Sequence, residues 1–232
     1  MINNNLVHKD ERLDDLQINN KFIIQKPGEY CFTSDAVLLA NFCKIKHNET
    51  VADFCSGSGV VGILASQKNS FKKIYLIEKQ ESFSERANRS IIYNNLQDKI
   101  ECINTCVQIA HTFLRKPMDV ILCNPPYSAP KGNKMTENAS LNMCKYETEL
   151  TLKDLIESVN KNLKFGGRFY MVHRADRIAE IITELKLKNL EPKQIQFVHP
   201  REKLNSNVCL IEAIKGAKQG VIILPPKIVE EI

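Results

Sequence analysis

The chain has 232 residues, 43% of them hydrophobic and 25% charged, with a formal charge of +5. That is enough for one sizeable α/β core and is the profile of an ordinary soluble globular protein. No apolar run approaches the ~18 residues a bilayer span needs. The polar start, Met1 to Gln17, lacks a signal-peptide core, so a cytoplasmic protein free of the membrane is expected. Eight cysteines (31, 43, 55, 102, 106, 123, 144 and 209) form no CxxC pair. Their spacing argues against a structural zinc site and for reduced, buried thiols. Residues 1–160 hold 19 basic and 19 acidic side chains, and residues 161–232 hold 13 and 8. The whole excess therefore sits in the carboxyl-terminal third, as a phosphate-binding face or a solvated lysine-rich surface.

Residues 1–20 are polar with little periodic signal, a segment expected to be partly disordered. Phe22 to Gln25 is a short strand, ended by Lys26-Pro27-Gly28, and Ala36 to Ala40 suits a buried helix opened by Ser34 or Asp35. From Thr50 strand and helix alternate. Val51–Phe54 is a strand, and a helix runs from about Val60 to Gln67. Lys73–Glu78 is the second strand of this series. A helix from Ser82 follows, with Ser82 and Glu85 as a capping box and Phe83, Ala87 and Ile91 on one face. Lys99–Asn104 and residues 118–124 are further strands, and 128–150 is a polar substrate loop. Thr151 caps a helix carrying Leu152, Leu155, Ile156, Val159 and Leu163, with Gly166-Gly167 as its stop. Arg168–His173 is a strand and 176–187 an amphipathic helix. Residues 193–198 and 207–214 close the chain as strands joined by a polar loop, hence antiparallel. No interdomain linker is visible. Residues 21–232 read as one doubly wound, mostly parallel sheet ending in an antiparallel hairpin, entered through the segment 21–49.

Two motifs carry chemistry. Gly57-Ser58-Gly59-Val60-Val61-Gly62 matches G-x-G-x-x-G between strand and helix, and Glu78 ends the next strand, placed to accept from ribose hydroxyls. Alone, this fits a nicotinamide nucleotide as readily as any other. The second motif is Asn124-Pro125-Pro126-Tyr127, at the end of an apolar strand. The prolines stiffen the turn and hold an amide beside an aromatic ring, an arrangement suited to a flat group bearing an NH2. Hydride transfer has no use for it. Asp53, four residues before Gly57, suits a cationic sulfonium better than a pyrophosphate. Together these favour S-adenosyl-L-methionine as cofactor.

Asp53 to Gly59, Glu78 and Asn124-Pro125-Pro126-Tyr127 resemble the motifs of class I S-adenosylmethionine-dependent methyltransferases that act on amino groups. Tyr30 to Ala40, Arg168 to Arg177, Gln196 to Pro200 and Ile223 to Pro226 are similar to the bacterial tRNA1(Val) adenine-37 N6-methyltransferases, a resemblance over nearly the whole chain. It implies a Rossmann-like fold, methylation of adenosine 37 in the anticodon loop of a valine tRNA, and no obligate protein partner. It implies Asn124, Pro125, Pro126 and Tyr127 as catalytic residues. Thr33, Asp35, Asp53, Cys55, Gly57, Gly59, Glu78 and Asn104 are implied as cofactor residues, Asn104 standing where relatives often carry an acid for the adenine amine. Cys55 and Ser56 replace an earlier glycine, and Lys145-Tyr146-Glu147 stands where relatives tend to show Arg-His-Glu.

The adenine amine is a poor nucleophile because its lone pair is conjugated into the ring. Asn124 Oδ1 and the Pro125 carbonyl, each accepting one N–H, draw that nitrogen toward tetrahedral geometry, while Tyr127 stacks on the base. His173 reads as a structural contact. His199, Arg201 and Lys203 in the terminal hairpin loop, with Lys215, Lys218 and Lys227, are phosphate candidates. Other acceptors fit the same chemistry: a release-factor glutamine, a ribosomal RNA amine, or DNA adenine. A non-catalytic RNA-binding module is a further reading, and a nicotinamide-linked oxidoreductase the most distant.

Overall fold

A computed structural model describes residues 6–68, 70–127 and 150–229; the expected substrate loop falls outside them except for Leu150, as do Lys145 to Glu147. A nine-stranded sheet is the backbone of the molecule, beside a separate two-stranded one. The small sheet is β1 (Arg12–Asp15) against β2 (Phe22–Gln25), antiparallel. After helix α1 (Ser34–Phe42) the large sheet begins with β3 (Thr50–Phe54), followed by α2 (Val60–Lys68), β4 (Lys73–Glu78), α3 (Glu81–Tyr93) and β5 (Ile100–Asn104). A 3-10 turn, Val107–Thr112, leads to β6 (Met118–Cys123). Then come α4 (Leu152–Asn162), β7 (Leu163–Arg174), α5 (Ile178–Leu187), β8 (Leu190–His199) and β9 (Val208–Lys215).

Strands β5, β4, β3, β6 and β7 lie side by side and parallel, and β9 then runs antiparallel between β7 and β8. This is the expected doubly wound sheet with its terminal hairpin. Two short strands went unforeseen: β10 (Ile222–Ile223) and β11 (Lys227–Ile228) both pair with the outer edge of β8.

Alternation along the central strands explains why both faces are covered. Val51, Val120, Leu122 and Val172 join one apolar cluster with α1, α2 and α3. Their neighbours Ala52, Ile121, Cys123 and Met171 join a second cluster with α4, α5 and the 3-10 turn. Successive side chains point to opposite faces, so a strand that is apolar at every position must be buried on both.

The polar start packs on α3, and three expectations elsewhere need correcting. Glu11 reaches Arg86 and Arg89 of α3, and the Asn94 side chain accepts from Phe22 N–H and donates to the Phe22 carbonyl. Helix α1 is entered from Thr33 without a side-chain cap. The Ser82–Glu85 capping box does not form: α3 starts from Gln80, and Glu85 is taken by Arg89 one turn on. Gly166-Gly167 do not stop α4, which ends at Asn162 in an extended Leu163. They lie inside β7, where the register shifts against β6 and Gly166 has φ +74. The Thr151 cap holds, its hydroxyl accepting from Asp154 N–H in a full capping box.

Candidate active site

Strand β3 is where the chain order reverses: it has β4 on one side and β6 on the other. Ligands of open α/β sheets bind at such a point, beyond the carboxyl ends of the strands. Phe54 lies opposite Cys123 in register, so the turn after β3 and the turn after β6 stand side by side. This pairing brings the two sequence motifs together.

The turn after β3 is held by its own backbone. Gly59 N–H donates to Ser56 O (2.8 Å), Ser56 N–H to Ile77 O (3.2 Å), and Cys55 and Gly57 take left-handed φ of +57 and +55. The glycines have different tasks. A Cβ on Gly62 would lie 2.4 Å from the Leu76 side chain, and one on Gly59 2.8 Å from it, so these two let α2 settle on β4. A Cβ on Gly57 would meet nothing within 4 Å, because that residue faces a cavity.

The cavity contains about 730 Å³ of space, part of it open to solvent, and is lined by Cys55, Gly57, Glu78, Thr105, Asn124 and Pro126 among others. Glu78 is its main polar anchor. One carboxylate oxygen accepts from Gly57 N–H and the other from Gln80 N–H, each at 2.8 Å. Burial pushes its carboxyl above the usual range, against the pull of those backbone donors. A smaller cavity on the α1 side shares Tyr30, Cys55, Gly57 and Asn124 and adds Phe32.

Asp53 does not face the cavity. It is fully buried beneath the turn, with Oδ2 accepting from Gly62 N–H at 2.9 Å. Its Oδ1 is buried with no hydrogen-bond partner among the described residues. Desolvation pushes its carboxyl up to about 8, opposed by Gly62 and reinforced by the charge of Glu78. Its place is in the scaffold under the loop, and the carboxylate expected to face the sulfonium is not on the cavity wall.

Asn104 is fixed at the end of β5. Its amide donates to the carbonyls of Glu78 and Lys79 at 2.9 and 3.0 Å, and the cavity wall beyond β5 is Thr105, Cys106 and Val107. Thr33 is exposed at the start of α1, and its carbonyl accepts from Ala36 N–H. Asp35 accepts a short hydrogen bond from the Tyr127 hydroxyl. Within the proline turn, Asn124 and Pro126 line the cavity while Pro125 is buried. The Tyr127 ring turns toward β7, its centroid 5.5 Å from that of fully buried His173. His173 accepts at Nδ1 from Arg174 N–H, in keeping with a structural contact.

Of the basic candidates, Lys215 is internal. It donates to the carbonyls of Asn160 and Leu163 at the end of α4, and burial lowers its pKa. His199 is spent within its loop, with Nδ1 at 2.7 Å from Leu204 O. Arg201 and Lys203 are exposed. Tyr30 and Gln80, both lining the main cavity, escaped the sequence reading. The one signal for them was position, just before α1 and just after the acidic end of β4.

A doubly wound sheet with a glycine turn after β3, an acid ending β4 and an amide–proline turn ending β6 defines a Rossmann-like methyltransferase. The chain belongs to the methyltransferase small domain family, whose model matches residues 32–195. Its expected cofactor is S-adenosylmethionine. Curated relatives include a tRNA1(Val) (adenine(37)-N6)-methyltransferase of Flavobacterium psychrophilum, 20% identical over 82% of each chain. A Cytophaga hutchinsonii protein of the same name is 25% identical over 53% of this chain and 50% of its own. Similar solved structures include a predicted O-methyltransferase of Agrobacterium tumefaciens, TM-score 0.65 at 23% identity, covering 84% of this chain and 86% of that one. Methanocaldococcus jannaschii Trm5 with adenosine gives 0.64 at 14%, over 91% and 57%. Among the described residues no helix is long and apolar enough to cross a membrane.

Proposed function

We propose that the protein transfers a methyl group from S-adenosylmethionine to the N6 of an adenosine in RNA, adenosine 37 in the anticodon loop of tRNA1(Val). The observation that carries this reading is that one cavity is lined by both Glu78 and Asn124. A donor anchored at the first is thereby next to an acceptor held by the second.

The residues present fit the donor. Glu78 keeps acceptor capacity for a ribose hydroxyl, since a carboxylate offers about four lone-pair sites and the backbone N–H groups of Gly57, Gln80 and Lys79 draw on it. Gly57 leaves room where any side chain would intrude. Cys106 and Val107 supply an apolar wall suited to an adenine face. Tyr30 and Phe32, from the segment 21–49, close the α1 side. When bound, the donor supplies an electrophilic methyl carbon.

The protein's contribution is orientation. Asn124 Oδ1 and the Pro125 carbonyl accept the two N–H bonds of the target amine, which turns its lone pair out of conjugation and toward the methyl. No strong base is required, because the proton becomes acidic only once the N–C bond forms. Extruding the base costs least in a loop, which favours an anticodon-loop adenosine. Arg201 and Lys203 sit at the carboxyl end of β8, and β8 and β9 bring that loop beside the end of β7. Contacts from them to phosphate would position the RNA without reading its sequence. Residues 128–150 complete the substrate side in this proposal, with no protein partner required, and the reaction takes place in the cytoplasm alongside tRNA.

The test is transfer of labelled methyl to unmodified valine tRNA, with a transcript carrying guanosine at position 37 as control. Label on the first alone supports the reading. Label on neither, with donor binding intact, overturns the tRNA assignment and directs the assay to release factors and ribosomal RNA.

A further inference from the structure

We propose that Asp35 is a positioning residue that fixes the Tyr127 ring for the target base, an inference that rests on the amine-methylating function above. Asp35 is in the first turn of α1, and its carboxylate accepts from the Tyr127 hydroxyl 92 residues along the chain. The other side of the ring meets His173 at the end of β7, tilted 53° from it. Tyr127 is thus clamped by two elements that are distant in sequence, while Asn124 and Pro126 of the same turn line the cavity. An unclamped tyrosine has to be ordered when the base arrives, a cost that opposes binding and alignment. A charge-assisted hydrogen bond at the hydroxyl removes that rotation in advance.

The chemistry of the pair agrees. Burial, then the charge of Asp35, pushes the Tyr127 hydroxyl far above its ordinary range, so it remains a donor at any working pH. The clamp also links the segment over the cofactor to the acceptor turn. In this arrangement Asp35 serves the acceptor side, and a donor contact, the role its motif implied, is the alternative to be tested.

The experiment compares full-length Asp35→Ala, Asp35→Asn, Tyr127→Phe and the double variant Asp35→Ala/Tyr127→Phe. Steady-state transfer to valine tRNA, calorimetric binding of S-adenosylmethionine and thermal melts are measured for each. Expected are kcat losses on the order of tenfold for Asp35→Ala and for Tyr127→Phe, with donor affinity unchanged. The double variant should be no slower than either single one, since both remove one interaction. Asp35→Asn, which keeps an acceptor, should recover most of the rate. It also serves if the alanine variant folds poorly. Additive losses would overturn the proposal, as would an Asp35→Ala defect confined to donor binding with Tyr127→Phe silent. If wild-type protein methylates no RNA, the proposed function falls and the catalytic role of Asp35 with it. Non-additive melting shifts would in that case identify the failure as one of substrate assignment, with the clamp itself intact.

Discussion

Buried carboxylates are managed in opposite ways in two regions, the latch where Glu11 of the N-terminal segment packs on α3 and the candidate site. At the N-terminal latch, burial alone would raise the Glu11 carboxyl, but the Arg89 guanidinium and the His8 N–H outweigh it and hold it at about 2. Arg86 adds a contact to Glu11 at 3.4 Å and another to Glu29 at 2.7 Å. At the candidate site, Asp53 and Glu78 are more deeply buried and receive only backbone N–H groups. Both are raised by desolvation. A latch needs its charges neutralised within the fold. A binding site keeps part of its hydrogen-bonding capacity open, and Glu78 on the cavity wall does so at a cost in stability.

The sharpest way to separate the two regions is to damage each and read both activity and stability. Asn124→Ala should lower methyl transfer on the order of 10²–10³-fold, the scale for losing one preorganised polar group at a reacting centre. Its melting temperature and donor affinity should hardly move. A variant that stays within a few-fold of wild-type rate would contradict the role given to the amide.

Glu11→Gln should do the reverse. Leaving Arg86 and Arg89 without their shared partner should cost about 3 kcal/mol in a denaturant titration, with activity of the folded fraction retained. Because the folded-state pKa is depressed, this stability is fully present above the ordinary carboxylate range. It should fade as pH falls from ~4.5 toward 2, and an acid-unfolding curve shared with wild type would refute it.

Gly62→Ala and Gly57→Ala divide the glycine turn along the same line. The first forces a methyl into Leu76 and should destabilise by about 1–3 kcal/mol. The second adds one into open space at a left-handed φ, so it should cost about 1 kcal/mol and act mainly on donor affinity. Equal melting temperatures for the two would erase the distinction.

A last effect, visible only as a dependence on pH, is expected at Asp53. Its folded pKa is raised, so its ionisation opposes folding, and the protein should lose stability as pH climbs from about 4 to about 8. Asp53→Asn should flatten that slope and leave stability at pH 4 nearly unchanged. Melts across this range that superimpose for the two proteins would show that Asp53 is compensated in a way the Gly62 contact does not explain.

The parallel core was legible because β6 after Asp119, Phe169–Val172 of β7, and Val51, Ala52 and Phe54 of β3 carry apolar residues on consecutive positions, which forces two covered faces. The adjacency of the glycine and proline turns was legible for the same reason, since strands so patterned must lie at the centre of the sheet. What failed depended on partners that the local pattern does not announce. Glu85 has the spacing of a capping box, but Arg89 outcompetes the backbone N–H groups. The polar start folds because Ser90, Asn94 and Arg89 of α3 satisfy it, and nothing local announces them. Lys215 was read by side-chain type as a phosphate candidate, whereas the carbonyls of Asn160 and Leu163 hold its ammonium group. Asp53 was correctly placed at a strand end, but which way its carboxylate points was decided by the close approach of α2 through Gly62.

The most direct test of the account is calorimetric titration of S-adenosylmethionine into wild type, Glu78→Gln and Glu11→Gln. The account predicts a loss of at least about tenfold in affinity for Glu78→Gln, some 1.4 kcal/mol, and wild-type affinity for the less stable Glu11→Gln. Undiminished binding by Glu78→Gln would contradict the claim that the open carboxylate at the end of β4 is there to receive the methyl donor.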